Sequence, residues 1–167
     1  MNKIENYING SKTTSNSKKE ASVFNPATGE ITSKVILSNE KDFEKVINSS
    51  KNILKEWSST TPLKRSRILS KFKMLVENNI DELASLISQE HGKTLEDAKG
   101  SIARGIEVVE FSCGIPHLLK GEFSQNVGNN IDSWSIRQPL GICAGITPFN
   151  FPAMVPMWMF PMAIACG

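Results

Sequence analysis

At 167 residues the chain suffices for one domain that buries roughly 70% of its unfolded surface. Nineteen Lys and Arg against 17 Asp and Glu leave a formal net charge of +2; the basic clusters at Lys18-Lys19 and Lys64 to Arg67 read as solvated faces, so no nucleic-acid partner is expected. Three cysteines, odd in number and far apart, argue against a disulfide framework and for a reducing compartment, and His91 and His117 lack metal-ligand spacing, so no metal site is expected.

The first residues, Met1 to Tyr7, carry no apolar core of signal-peptide length, which reads as cytoplasmic. Ile4 to Ile8 is a short strand signal, and Asn9-Gly10 after it is a strong hairpin turn. Ser11 to Glu20 reads as a polar loop. Val23-Phe24 leads into the turn Asn25 to Glu30, and Ile31 to Leu37 reads as a partner strand. Helices follow. Ser38 or Asn39 caps a segment reaching about Trp57, with apolar spacing at Phe43, Ile47, Ile53 and Leu54. Thr61-Pro62 starts a second helix, lined by Ile68, Leu69, Phe72, Leu75 and Val76 and broken at Asn78-Asn79. Leu83, Leu86 and Ile87 mark a third, which Gly92 ends. Thr94 to Asp97 resembles a capping box and opens a helix expected to run to about Leu119, with Gly121 closing it.

Gly121 to Gln138 is polar and then alternates, which predicts a projecting hairpin. Leu140 to Thr147 is an apolar run between prolines, expected as a strand buried on both faces. Pro152 onward returns to helix, with a kink expected at Pro161. The uncharged tail from Pro139 to Gly167 has the length of a membrane span. Five prolines, at 139, 148, 152, 156 and 161, argue against one. Helices before a buried strand that feeds another helix indicate an α/β layer architecture, here with only the first strand and helix of a parallel sheet.

No Gly-x-Gly-x-x-Gly and no phosphate loop is present. The chemistry therefore rests on isolated residues. Asn150 is a lone amide between Phe-Pro corners, after a strand end where open α/β sheets bind ligands. It is either a turn residue bonding its own backbone or a donor aimed at a developing oxyanion. Arg104 lies in a row with Val108, Phe111 and Ile115; it is either a solvated cation near Glu107 or a fork for an anion. His91 is explained as a cation at a helix C-terminus. Cys113, Cys143 and Cys166 read as buried, inert thiols, and Met154, Met157, Met159, Met162 and Trp158 as core packing.

Pro139-Leu140-Gly141-Ile142 with Thr147-Pro148-Phe149-Asn150-Phe151-Pro152 resembles the aldehyde dehydrogenase superfamily, as do Asn25 to Gly29 and Glu90 to Thr94, in order along the chain. Ala103 to Phe111 and the Met-rich Phe151 to Pro161 resemble its CoA-acylating methylmalonate-semialdehyde dehydrogenases. The resemblance implies the N-terminal part of that fold, with helices and the start of a Rossmann-like sheet. It divides the chain into residues 1–120, an oligomerisation hairpin at 121–138, and the first strand and helix of the core at 139–167. It implies oxidation of malonate or methylmalonate semialdehyde with NAD and CoA, giving acetyl-CoA or propionyl-CoA, carbon dioxide and NADH, in a homo-oligomer, dimer or tetramer. It assigns Asn150 to the oxyanion hole, the backbone of Ile146, Thr147, Pro148 and Phe149 to the nicotinamide side of the cofactor cleft, and Arg104 to the substrate carboxylate.

None of the three cysteines matches the family's nucleophile motif, and the cofactor-binding lysine segment and glycine-rich turn are not among these residues. The 167 residues are therefore expected to be a fragment, inactive alone and prone to aggregate through unpaired strand edges. Two other readings remain at this point: a hydrolytic, CoA-independent relative, which needs a general base for water, and a non-catalytic interaction module.

Overall fold

Asn9 and Gly10 both take positive φ, 53° and 75°. That pair of values suits a two-residue hairpin turn. It closes β2 (Asn6–Ile8) onto β3 (Ser11–Thr13) with Ile8 opposite Ser11. The computed structural model describes residues 2–167. The expected polar loop from Ser11 is thus corrected at its start, because so tight a turn returns the next residues directly into register. β1 (Asn2–Ile4) pairs in parallel with β5 (Ile31–Ile36), and β4 (Glu20–Phe24) pairs antiparallel on its other side. The Asn25 carboxamide accepts from the amides of Ala27 and Thr28 and so fixes the β4–β5 turn.

Local chemistry sets the helices. α1 (Glu40–Ser59) begins at Asn39 with a reciprocal capping box to Asp42. The Asp42 carboxylate also accepts from Ser15 Oγ at 2.5 Å, which ties the N-terminal loop to the helix and holds the carboxyl below its usual pKa. α2 (Pro62–Asn78) is capped by Thr61. α3 (Ile80–His91) ends at Gly92, whose φ of 86° is the left-handed conformation glycine favours. α4 (Leu95–Cys113) starts at Thr94. The expected single helix to Leu119 is split at Gly114, followed by the short α5 (Ile115–Leu118). Pro116 explains the break: it has no N–H to give, and its ring would collide with the carbonyl of the preceding turn.

α6 (Met154–Cys166) lies across α2 and α4. Its Met157 joins Val76, Ala84, Ile87, Ile102 and Val109 in the main core, and Ala165 joins Leu69 and Ile115 in a second. Two polar contacts fix its far end, and a third braces the arginine that makes one of them. Trp57 Nε1 donates to the Ile164 carbonyl at 2.9 Å. Arg65, only 3% exposed, donates from Nε to the Ala165 carbonyl at 2.8 Å and from Nη1 to the Thr60 carbonyl. The buried guanidinium thereby meets the negative ends of two helices, where a cation is favoured.

β6 (Phe123–Gly128) and β7 (Ile131–Trp134) form a hairpin whose Phe123, Val127, Ile131 and Trp134 are all exposed. Residues 135–148 are not a strand buried on both faces. They run without ladder pairing among the described residues, and Leu140 and Ile146 are 98% and 97% exposed. A parallel strand is buried by neighbours brought in through crossover helices, and no described residue supplies them. One face of α1 is likewise bare, with Phe43 and Ile53 exposed. No helix of the described residues is long and apolar enough to cross a membrane.

Candidate active site

Asn150 sits in the turn that joins the unpaired segment to α6, bracketed by Pro148 and Pro152. Other asparagines of the chain use their amides locally. Asn25 holds its own turn, Asn79 Nδ2 donates to the Leu75 carbonyl, and Asn126 Oδ1 accepts from the Asn130 amide. The Asn150 carboxamide has no such bond among the described residues and is exposed. Of the two roles left open by its sequence setting, this geometry favours an amide available to another molecule.

Two aromatic rings flank it, and both are anchored by the connection between α3 and α4. The His91 and Phe149 rings are 6.1 Å apart, centroid to centroid, tilted by 39°. The Lys93 ammonium stands 4.4 Å from the centre of the Phe151 ring, and the Arg104 guanidinium 5.7 Å from the same ring. Arg104 is exposed; its Nε donates to the Gly100 carbonyl at 3.3 Å, and its own carbonyl accepts from Trp158 Nε1 at 3.4 Å. The fold therefore brings Arg104 beside the Phe151 ring of the Asn150 turn. Ile146, Thr147 and Pro148 are exposed beside it, and Phe149 is 59% exposed.

His91 does end α3, as its helix-terminal position suggests, but its Nδ1 is buried without a hydrogen-bond partner among the described residues. The thiols depart from expectation: Cys143 is exposed and Cys113 and Cys166 are half-buried. Met154 and Met157 are core, whereas Met159 and Trp158 are 40% and 46% exposed. A cleft of about 650 Å³ opens between α1, α6 and residues 141–147, lined by Ile53, Leu54, Trp57, Thr147 and Phe160.

Sequence reasoning took Asp97 only as a capping residue and gave Lys93 no role of its own. Their i, i+4 spacing across the start of α4 was the available signal. Lys93 Nζ lies 2.7 Å from Asp97 Oδ2, and this contact, helped by the positive charges of Arg104 and His91, holds the Asp97 carboxyl below its usual range. A carboxyl depressed in the folded chain contributes stability above the unfolded value of about 3.9, and that contribution disappears as pH falls through the lower, folded value. Acid titration by NMR is expected to give Asp97 a midpoint below that of a free aspartate; an unshifted midpoint would mean the pair is not formed.

The aldehyde dehydrogenase family profile matches residues 12–167. The malonate-semialdehyde dehydrogenase of Pseudomonas aeruginosa is 53% identical over 167 residues, covering 100% of this chain and 33% of the relative. The mitochondrial acylating methylmalonate-semialdehyde dehydrogenase of Arabidopsis thaliana is 47% identical over 165 residues, 99% of this chain and 27% of the relative. A crystal structure from Sinorhizobium meliloti, assigned as a methylmalonate-semialdehyde dehydrogenase and complexed with NAD, superposes with a TM-score of 0.97 at 50% identity, over 100% of this chain and 34% of that one. The chain thus spans about a third of the length of these relatives. A match over nearly all of these residues, with a mixed α/β arrangement that superposes on part of a known dehydrogenase fold, leads to one conclusion: the chain belongs to the aldehyde dehydrogenase family.

Proposed function

We propose that these residues serve an NAD-dependent, CoA-acylating malonate- or methylmalonate-semialdehyde dehydrogenase. The observation that carries the reading is the exposed Asn150 amide, free of local bonds among the described residues, in a turn whose Phe151 ring lies 5.7 Å from the Arg104 guanidinium. The substrate has an aldehyde at one end and a carboxylate at the other. The Asn150 N–H donates to the aldehyde oxygen as negative charge develops on it. Arg104 binds the carboxylate with two parallel N–H donors, a geometry that a lysine does not offer. Holding both ends orients the carbonyl and excludes aldehydes without an acid group.

The chemistry supplied by bound NAD is hydride acceptance. The chain's part in holding it is the backbone of Ile146, Thr147, Pro148 and Phe149. Their exposure, in a segment without ladder partners among the described residues, leaves peptide groups accessible to a planar amide ring, which fits that role. We further propose residues 121–138 as an oligomerisation hairpin, residues 139–167 as the first strand and helix of the nucleotide-binding core, and action in the cytoplasm; the free cysteines suit a reducing compartment.

The test uses a full-length dehydrogenase subunit carrying these residues. Malonate semialdehyde, NAD and CoA together are expected to give NADH and acetyl-CoA, with little turnover when CoA is left out. Undiminished NADH formation without CoA would replace the acylating reading with the hydrolytic one. The 167 residues expressed alone are expected to form no NADH.

A further inference from the structure

Lys93 has no part in the reaction proposed above, yet its side chain is only 8% exposed. An ammonium taken out of water must be paired. Asp97 Oδ2 accepts at 2.7 Å, and Ser101 Oγ lies at 3.4 Å. The backbone is pinned as well, since the Lys93 carbonyl accepts from Ser88 Oγ at 2.7 Å. An ordinary i, i+4 pair on a helix surface leaves the ammonium in solvent. Here it is turned inward, 4.4 Å from the centre of the Phe151 ring, and Phe151 is the residue after Asn150.

We propose that Lys93 is a positioning residue for the Asn150 amide: oriented by Asp97 and Ser101, its ammonium fixes the Phe151 ring and through it the direction of the neighbouring carboxamide. The inference rests on the reading of Asn150 given above. Pro148 and Pro152 stiffen the ends of the turn but do not set its tilt. That task falls to the two rings, and one short connection grips both: His91 packs on Phe149, and Lys93 stands over Phe151. An oxyanion donor works only within a few tenths of an ångström of its mark, and an error of about 1 Å costs up to about a hundredfold in rate. A buried cation over an aromatic ring is a directional restraint of the kind needed.

The experiment is a mutant cycle in the full-length dehydrogenase: Lys93→Met and Lys93→Arg, each with Asn150 intact and with Asn150→Ala. The readouts are kcat and the semialdehyde KM at saturating NAD and CoA, with the thermal midpoint in parallel. Lys93→Met is expected to lower kcat about tenfold with KM changed less than about twofold, and Lys93→Arg to recover most of it. In the Asn150→Ala background, Lys93→Met is expected to cost less than about twofold, because an amide already removed is not misplaced again. An unchanged kcat, or the same tenfold loss in both backgrounds, overturns the proposal and leaves the ion pair a structural one. Full turnover by Asn150→Ala alone would instead remove the oxyanion reading, and this inference with it. If Lys93→Met does not fold, Phe151→Leu takes its place in the cycle, with the same two decisive outcomes.

Discussion

Asn150→Ala in a full-length dehydrogenase carrying these residues is expected to lower kcat by about 10²–10³-fold, or about 2.7–4 kcal/mol of transition-state stabilisation. KM for the semialdehyde is expected to move little, because the ground-state carbonyl accepts a weaker hydrogen bond than the oxyanion that replaces it. The structure also gives reason to expect the protein to stay folded. The carboxamide is exposed and holds no other part of the described chain, so its loss leaves no buried group unpaired. Asn25→Ala should behave in the opposite way. That amide accepts two backbone N–H groups in the β4–β5 turn, and its loss should reduce stability without touching the chemistry. Steady-state kinetics and thermal unfolding on both variants separate the roles. An Asn150→Ala enzyme with near-normal kcat would end the assignment, since no structural debt hides its effect.

The elements that read clearly in the sequence are those whose determinants lie within a few residues. Asn9-Gly10, the cap at Ser38 or Asn39, Thr61-Pro62 and the Gly92 stop each act over one turn of chain; each appears where its chemistry places it, and the structure settles the cap on Asn39. Errors arose where a local signal had a competitor next to it. Pro116 splits what apolar spacing alone would join into one long helix. Tight turn geometry draws Ser11–Thr13 into a strand that composition would leave as loop. Burial of Leu140 to Thr147 was illegible for a different reason. The apolar run is real, but burial depends on neighbours far away in sequence, and Leu140 and Ile146 stay bare among the described residues. Asn150 and Arg104 stood out because each interrupts an apolar pattern. Lys93 did not, because a lysine beside a helix start is ordinary until the fold brings it over Phe151.

Gly105→Ala is expected to separate activity from stability, and Gly105→Val to damage both. Glycine inside a helix is disfavoured by roughly 0.5–1 kcal/mol relative to alanine, so α4 alone would welcome the change. Its packing would not. A Cβ at Gly105 meets Met157 Cε at 2.5 Å, Met157 Cβ at 3.2 Å and Met154 Cα at 3.3 Å. The thioether end swings aside readily, as methionine does. The Met154 Cα is backbone, so the first turn of α6 must retreat by a few tenths of an ångström. Overpacking costs about 1–3 kcal/mol; the mobile Met157 end puts this site at the low end, and the gain in helix propensity offsets part of that, leaving a net loss of about 1 kcal/mol or less for alanine. Valine adds two methyl groups at the same contact and restores little propensity, so a loss of about 3 kcal/mol is expected. The first turn of α6 follows directly on the Asn150 turn. A shift there moves the oxyanion donor, and kcat of Gly105→Ala should fall about tenfold although its melting point barely changes. Kinetics and calorimetry on the full-length variants decide between the outcomes. If Gly105→Ala melts higher and turns over normally, α4 does not hold the Asn150 turn in place, and the close approach of the two helices matters for packing alone.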